Sequence, residues 1–128
     1  MLRTTVHSAT TLEQLLQALR AGADANAQEK DGTTALMHAA EHGGEHGAGM
    51  MRLLVDAGAD ANKQEEDGWT ALMLSARYGG EHGAGMMRLL MQHGGHVAVN
   101  KQDEDGWSAL MLAARDGGGH AAGMMRLL

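Results

Sequence analysis

The feature that most constrains this chain is a twelve-residue segment that occurs three times. GGEHGAGMMRLL occupies residues 43–54 and recurs unchanged at residues 79–90, and a close copy, GGGHAAGMMRLL, stands at residues 117–128. Successive copies begin 36 and 38 residues apart. A period in the upper thirties is typical of a solenoid, in which each repeat is one supersecondary unit that buries its apolar side against its neighbours.

Each repeat carries the signals of two short helices. The first helix is predicted in ALMHAAEH, ALMLSARY and ALMLAARD, because each segment follows a hydroxyl residue, a preferred N-cap, and precedes a glycine pair that readily ends a helix. The second helix is predicted in the repeated segment, where apolar residues at i, i+3 and i+4 form one stripe. An Asp-Gly pair then supplies the tight turn of the next repeat. The N-caps are Thr34, Thr70 and Ser108, and the stripes are Met50, Leu53 and Leu54; Met86, Leu89 and Leu90; and Met124, Leu127 and Leu128.

This unit resembles the ankyrin repeat, which is a β-turn followed by an antiparallel helix pair and is usually about 33 residues long. The resemblance rests on DGWTALMLSAR at residues 67–77, on the paired leucines of the second helix and on GADAN at residues 58–62. It covers roughly residues 12–128 and implies an all-α solenoid of stacked helix pairs joined by hairpin-like turns. Residues 1–128 would then be a single domain with a partial N-terminal repeat at 1–30, repeats at 31–66 and 67–104, and a shortened C-terminal repeat at 105–128.

Two departures from the family pattern change the expectations. Alanine and methionine replace the usual proline and histidine at the start of the first helix, as at Ala71 and Met73, so packing of Met, Leu and Ala is expected to stabilise the stack. The segment between the two helices is three residues longer than usual and rich in glycine. It is therefore expected to be a solvated, flexible loop.

Composition argues against several classes of protein. The chain has no cysteine, which excludes disulfides and thiolate chemistry and is compatible with an intracellular location. A net charge of −6 argues against nucleic acid or an anionic membrane as the main partner. No apolar run approaches the ~20 residues of a membrane span. No serine stands at a strand-to-helix elbow and no glycine-rich loop precedes Lys-Ser or Lys-Thr, so we expect neither an enzyme nor a cofactor.

The histidines of the repeated segment raise the question of a metal site. HGGEH at residues 42–46 matches the H-x-x-E-H pattern of one class of zinc peptidases, but that pattern requires a continuous helix and a glycine pair interrupts this one. His46, His82 and His120 could share an ion only if neighbouring loops pinched together, because stacked helices lie ~8–10 Å apart. We predict no metal site and keep these three histidines as a weaker alternative.

The resemblance implies a binding face formed by the turn tips and the first helices. Trp69 and Trp107 follow the turn in consecutive repeats, at the position of Thr33, and are expected to be exposed; Trp is enriched at interface hot spots. Alternatively, each indole packs on the neighbouring turn and stiffens the row. The tips are acidic, which predicts a partner with a basic surface. The predicted contact residues are Thr33, Glu66, Asp67, Trp69, Arg77, Tyr78, Glu104, Asp105, Trp107 and Arg115.

These observations favour a non-enzymatic module that binds another protein. A first alternative is a self-associating repeat protein, or a fragment of a longer array, that forms head-to-tail oligomers, because neither terminal repeat has the polar outer face that closes a solenoid. A second alternative is binding of a divalent metal ion by the loop histidines.

Overall fold

The computed structural model describes residues 12–128, and within that range the regular structure is entirely helical. The partial repeat predicted at residues 1–30 therefore lies partly outside the described residues. The α-helices of residues 12–128 are α1 (Leu12–Arg20), α2 (Ala35–His42), α3 (Gly47–Asp56), α4 (Ala71–Tyr78), α5 (Gly83–Gln92), α6 (Ala109–Asp116) and α7 (Ala121–Leu127).

The helices form two parallel rows. The first helices of the repeats, α2, α4 and α6, pack side by side in one row, and the second helices, α1, α3, α5 and α7, pack side by side in the other. Each first helix also packs on the second helix of its own repeat, as α2 does on α3 and α4 does on α5. The predicted all-α solenoid of stacked helix pairs is confirmed.

The predicted N-caps begin the three first helices. Each hydroxyl oxygen accepts a hydrogen bond from the backbone amide three residues later, at 3.4 Å for Thr34, 3.2 Å for Thr70 and 3.4 Å for Ser108. Each cap residue has extended backbone angles, so the chain enters the helix directly from the preceding turn. These caps satisfy amide groups that would otherwise have no partner at the helix start.

The lengthened segment between the helices is a turn of 3-10 helix rather than an irregular loop. The turns span Gly44–His46, Gly80–His82 and Gly118–His120, and each leads directly into the second helix. The two helices meet so closely here that a Cβ atom on Gly43 would lie 2.4 Å from the Ala39 carbonyl oxygen and 2.5 Å from the Gly47 Cα. The glycines therefore permit close packing of the helix pair, which the sequence expectation of a loop had missed.

The second-helix stripe is wider than predicted. Met51 and Met87, which the i, i+3, i+4 pattern leaves out, are completely buried, whereas Leu53 within the pattern is only half-buried. The reason is that α3 and α5 contact both the first helix of their own repeat and the second helices of neighbouring repeats, so two faces of each helix are covered. The core is accordingly built from methionine, leucine and alanine, as expected.

Candidate functional site

The turns that precede the first helices are joined to one another along the stack. Within the second turn, the Glu65 amide donates to the Trp69 carbonyl at 3.0 Å and the Gly68 amide donates to the Glu65 carbonyl at 2.9 Å. Between turns, the Glu66 amide donates to the Asp31 carbonyl at 2.8 Å, and the Glu104 amide donates to the Asp67 carbonyl at 2.9 Å. The row of turns is therefore held in register by backbone hydrogen bonds.

Close packing of these turns depends on glycine. Gly68 has a φ of +87°, which side chains with a Cβ rarely adopt, and a Cβ there would also lie 2.9 Å from the Asp103 Cα. The Asp-Gly pair, predicted from sequence to make the turn tight, thus also lets the next turn approach it.

Acidic side chains in the turns accept hydrogen bonds from their own backbone. Glu65 Oε1 accepts from the amides of Asp67 and Trp69, both at 2.8 Å. Asp103 Oδ1 accepts from the amides of Asp105 and Trp107 at 2.9 and 2.8 Å. Glu65 and Asp103 therefore shape the turns.

The environments of the turn carboxylates shift their pKa values in different directions. Burial raises the pKa of Glu65, and the negative charge of Asp67 raises the pKa of Glu104. Hydrogen bonds from Thr33 lower the pKa of Asp31. Negative charges therefore lie close together in the second and third turns, and an added positive charge there would be favourable.

The two indoles are half-buried and each is covered by an arginine. The Arg77 guanidinium carbon lies 5.5 Å from the Trp69 ring centroid and 4.9 Å from the Tyr78 centroid, and that of Arg115 lies 4.1 Å from the Trp107 centroid. Both tryptophans also pack against the core. The indoles are therefore less exposed than expected, because the core and an arginine from the end of the first helix each cover part of the ring.

A groove of about 310 Å³ lies beside the first two turns and their helices. We call it the turn groove. Its acidic side chains are Asp31, Glu41, Glu65 and Asp67, and the others are Thr33, Met37, Trp69, Leu74, Arg77 and Tyr78. The groove combines aromatic and apolar surface with four carboxyl groups and one guanidinium group, a composition suited to holding the aliphatic stem and the positive head of a basic side chain.

A family model described as ankyrin repeats, in three copies, matches residues 5–82 and 44–128, which together span nearly the whole chain. The chain belongs to the ankyrin-repeat family. No curated protein matches it. Ankyrin repeats are in general modules for protein–protein interaction, and the family is typically non-enzymatic. Among residues 12–128 of this ankyrin-repeat chain, no helix is long and apolar enough to cross a membrane.

The turn groove brings together half of the predicted contact residues of the ankyrin-repeat chain. Thr33, Asp67, Trp69, Arg77 and Tyr78 line it. The other predicted residues lie outside its lining and are Glu66, Glu104, Asp105, Trp107 and Arg115.

The list of predicted contact residues omits Asp31 and Glu41, which line the groove. A signal was present, because Asp31 and Asp67 occupy the same place in turns that follow one another by 36 residues. In the third repeat, Arg115 pairs with Asp116 at 2.9 Å, which raises the pKa of Arg115 and ties the guanidinium down beside Trp107.

The histidines of the ankyrin 3-10 turns do not gather around a common point. His46 lies 3.3 Å from Glu45, and His82 lies 3.3 Å from Glu81, each paired with the residue that precedes it. Within residues 12–128, no group of three or more His, Asp or Glu side chains is arranged to hold a metal ion. The alternative that His46, His82 and His120 share an ion therefore has no support from this arrangement.

Proposed function

We propose that this chain binds a partner protein through the turn groove, and that the partner offers a basic segment. The observation that carries the proposal is the lining of the groove, which contains the carboxyl groups of four acidic residues together with Trp69 and Tyr78. A lysine or arginine of the partner would place its charged head near the carboxylates and its methylene groups against the rings.

Rigidity of the indoles supports the same proposal. Trp69 packs on the core and is covered by Arg77, so the ring loses little freedom when a partner binds. Trp107 has the same arrangement with Arg115 one repeat further along. A segment that crosses both repeats would meet two aromatic anchors held by the same scaffold.

The acidic turns would act mainly on association. Charges at the rim of an interface change the rate of encounter and the register of binding more than the final affinity. We therefore assign affinity to Trp69, Trp107 and Tyr78, and steering to the exposed carboxylates of Glu66, Asp67, Glu104 and Asp105.

The test is a pair of tryptophan replacements with a matched control. Trp69→Thr and Trp107→Thr install the residue that the first repeat carries at Thr33, so the turn keeps a side chain that the fold already accepts. Partners are captured from a cell extract with the wild-type chain, and a purified partner is then titrated against each variant. We expect the double variant to bind at least about tenfold more weakly and to retain its helical spectrum.

Arg88→Ala is the control, because Arg88 is an exposed residue of α5 in the second-helix row. This variant should bind as the wild type does. Equal affinity of the double tryptophan variant and the wild type would show that the groove is the wrong surface.

Self-association is a second candidate because the last repeat exposes apolar side chains. Leu110, Met111 and Met125 are 44, 46 and 40% exposed, whereas their counterparts Leu72, Met73 and Met87 are fully buried against the third repeat. The same experiment separates the two candidates when the mass of the free chain is measured by light scattering at several concentrations. A mass that rises with concentration supports self-association. A constant monomer mass argues against self-association, and partner binding through the groove is then the only one of the two candidates that remains.

A further inference from the structure

The H-x-x-E-H spacing occurs a second time, four residues before the copy that the glycine pair interrupts. Residues 38–42 read HAAEH, and they lie entirely within α2 (Ala35–His42). His38 and His42 are thus at i and i+4 on a continuous helix, which places them on one face. Their rings are stacked, with centroids 6.0 Å apart and an angle of 29° between the ring planes.

This spacing fits two imidazoles that share a metal ion. Ligand nitrogens lie about 2.0–2.1 Å from zinc, so two rings on one tetrahedral ion have centroids about 5 Å apart. The observed separation exceeds that value by about 1 Å and the rings are stacked, so the His42 ring has to turn for its nitrogen to face the same ion as His38. The His42 side chain is 66% exposed, which leaves it room to turn. The glycine-interrupted copy at residues 42–46 has no such helix, because α2 ends at His42.

Carboxylates stand beside both rings. Glu29 Oε1 contacts His38 Nε2, and Glu41 Oε2 lies 3.6 Å from His42 Nε2. A carboxylate next to a ligating histidine fixes the orientation of the ring and increases its basicity, an arrangement common around metal ions in proteins. These acidic groups also lower the cost of bringing a divalent cation to this end of the helix, which already favours positive charge.

The pair belongs to the first repeat alone. The same positions are Leu74 and Tyr78 in the second repeat and Leu112 and Asp116 in the third. Glu29 also behaves differently from its counterparts, because it contacts His38, whereas Glu65 and Asp103 accept hydrogen bonds from their own turns.

We propose that His38 and His42 form a two-histidine site for a divalent transition-metal ion of the kind that imidazole prefers, such as Zn²⁺. Two protein ligands would hold the ion, and water would fill its remaining positions. The two sites share Glu41, but the proposed metal site does not depend on the proposed role of the groove.

The experiment is a calorimetric titration of the full chain with Zn²⁺ alone. We expect one site that is lost in His42→Tyr, which installs the residue of the second repeat at this position and replaces an exposed side chain. Loss of one of two chelating ligands should weaken binding by about 100-fold. His38→Leu, which copies Leu74, should have the same effect, and retention of the helical spectrum shows that the variant has folded.

His46→Ala and His93→Ala are the controls, since both side chains are exposed and lie outside the pair. Both variants should bind Zn²⁺ as the wild type does. Unchanged binding by His42→Tyr, an equal loss in His46→Ala, or no binding by the wild-type chain would each overturn the proposal.

Discussion

Positions that are the same in all three repeats and positions that differ between them lie in different parts of the molecule. Met37 and Met73, and the paired methionines of α3 and α5, are buried where neighbouring helix pairs pack together. Several residues that differ line the turn groove, such as Thr33 against Trp69 and Glu41 against Arg77. Interfaces between repeats carry the same side chains each time, whereas the groove combines shared residues, such as Asp31 and Asp67, with residues that differ. The two regions should therefore respond differently to substitution.

Met73→Ala and Met111→Ala offer the largest and sharpest test, because the two residues hold the same position in consecutive repeats. Met73 is fully buried and Met111 is 46% exposed. We expect Met73→Ala to lower the free energy of unfolding by about 3 kcal/mol and Met111→Ala to lower it by less than about 1 kcal/mol. Urea unfolding of both variants measures the difference, and similar losses would mean that coverage by the next repeat is not what stabilises these positions.

Thr70→Ala tests a smaller contribution at a position that carries a hydroxyl in every repeat. Thr70 is fully buried and its Oγ1 caps α4. Removal of the hydroxyl should cost about 1 kcal/mol of unfolding free energy in a thermal melt. Thr70→Ser keeps the cap and copies Ser108, so it should stay closer to the wild type than Thr70→Ala does. If Thr70→Ser and Thr70→Ala are equally destabilising, the methyl group of Thr70, and not its hydroxyl cap, contributes to the free energy of unfolding.

The smallest expected effect lies in the groove, at Glu65. Burial raises the pKa of Glu65 above its value in the unfolded chain, so its favourable contribution is present at low pH and is lost as the pH rises through the folded-state pKa. Glu65→Gln accepts the same backbone hydrogen bonds without the charge. Its melting temperature should therefore exceed that of the wild type at pH 7, by the equivalent of less than about 0.5 kcal/mol, and the difference should shrink at acid pH.

Asp31→Asn is the matched variant, and its melting temperature at pH 7 should change in the opposite direction to that of Glu65→Gln. Hydrogen bonds from Thr33 lower the pKa of Asp31, so its contribution is present at neutral pH and is lost as the pH falls through the folded-state pKa. Asp31→Asn should melt below the wild type at pH 7 and approach it in acid. Two variants that shift in the same direction would contradict the assigned environments of these carboxylates.

The fold could be predicted from the sequence because its signals are local. Helix caps, glycine pairs and Asp-Gly turns act within a few residues, and the repeat period predicts that the resulting units stack in a row. The stripes of the second helices were predicted too narrowly, since Met51 and Met87 are buried by helices of neighbouring repeats. A pattern within one helix contains no information about a second face that another repeat covers.

The candidate site was predicted less completely for the same reason. Trp69, Arg77 and Tyr78 could be chosen from their position in the repeat, but their mutual contacts depend on side-chain rotamers at the end of α4. Glu65 and Asp103 accept hydrogen bonds from backbone amides, which the acidic sequence of the turns does not indicate. The sequence HGGEH is interrupted at the end of α2, whereas HAAEH lies wholly within that helix, and the helix boundary at His42 makes the difference.

By itself, the sequence determined the repeat, the helix pairs, the capping residues and the membership of the ankyrin-repeat family. Only the tertiary structure decided which carboxylates shape the turns, how deeply the indoles are buried and where the groove lies. The physical reason is distance along the chain. Caps and turns are made by residues that are neighbours in sequence, whereas the groove is formed by turns that come together only when repeats 36 residues apart are stacked.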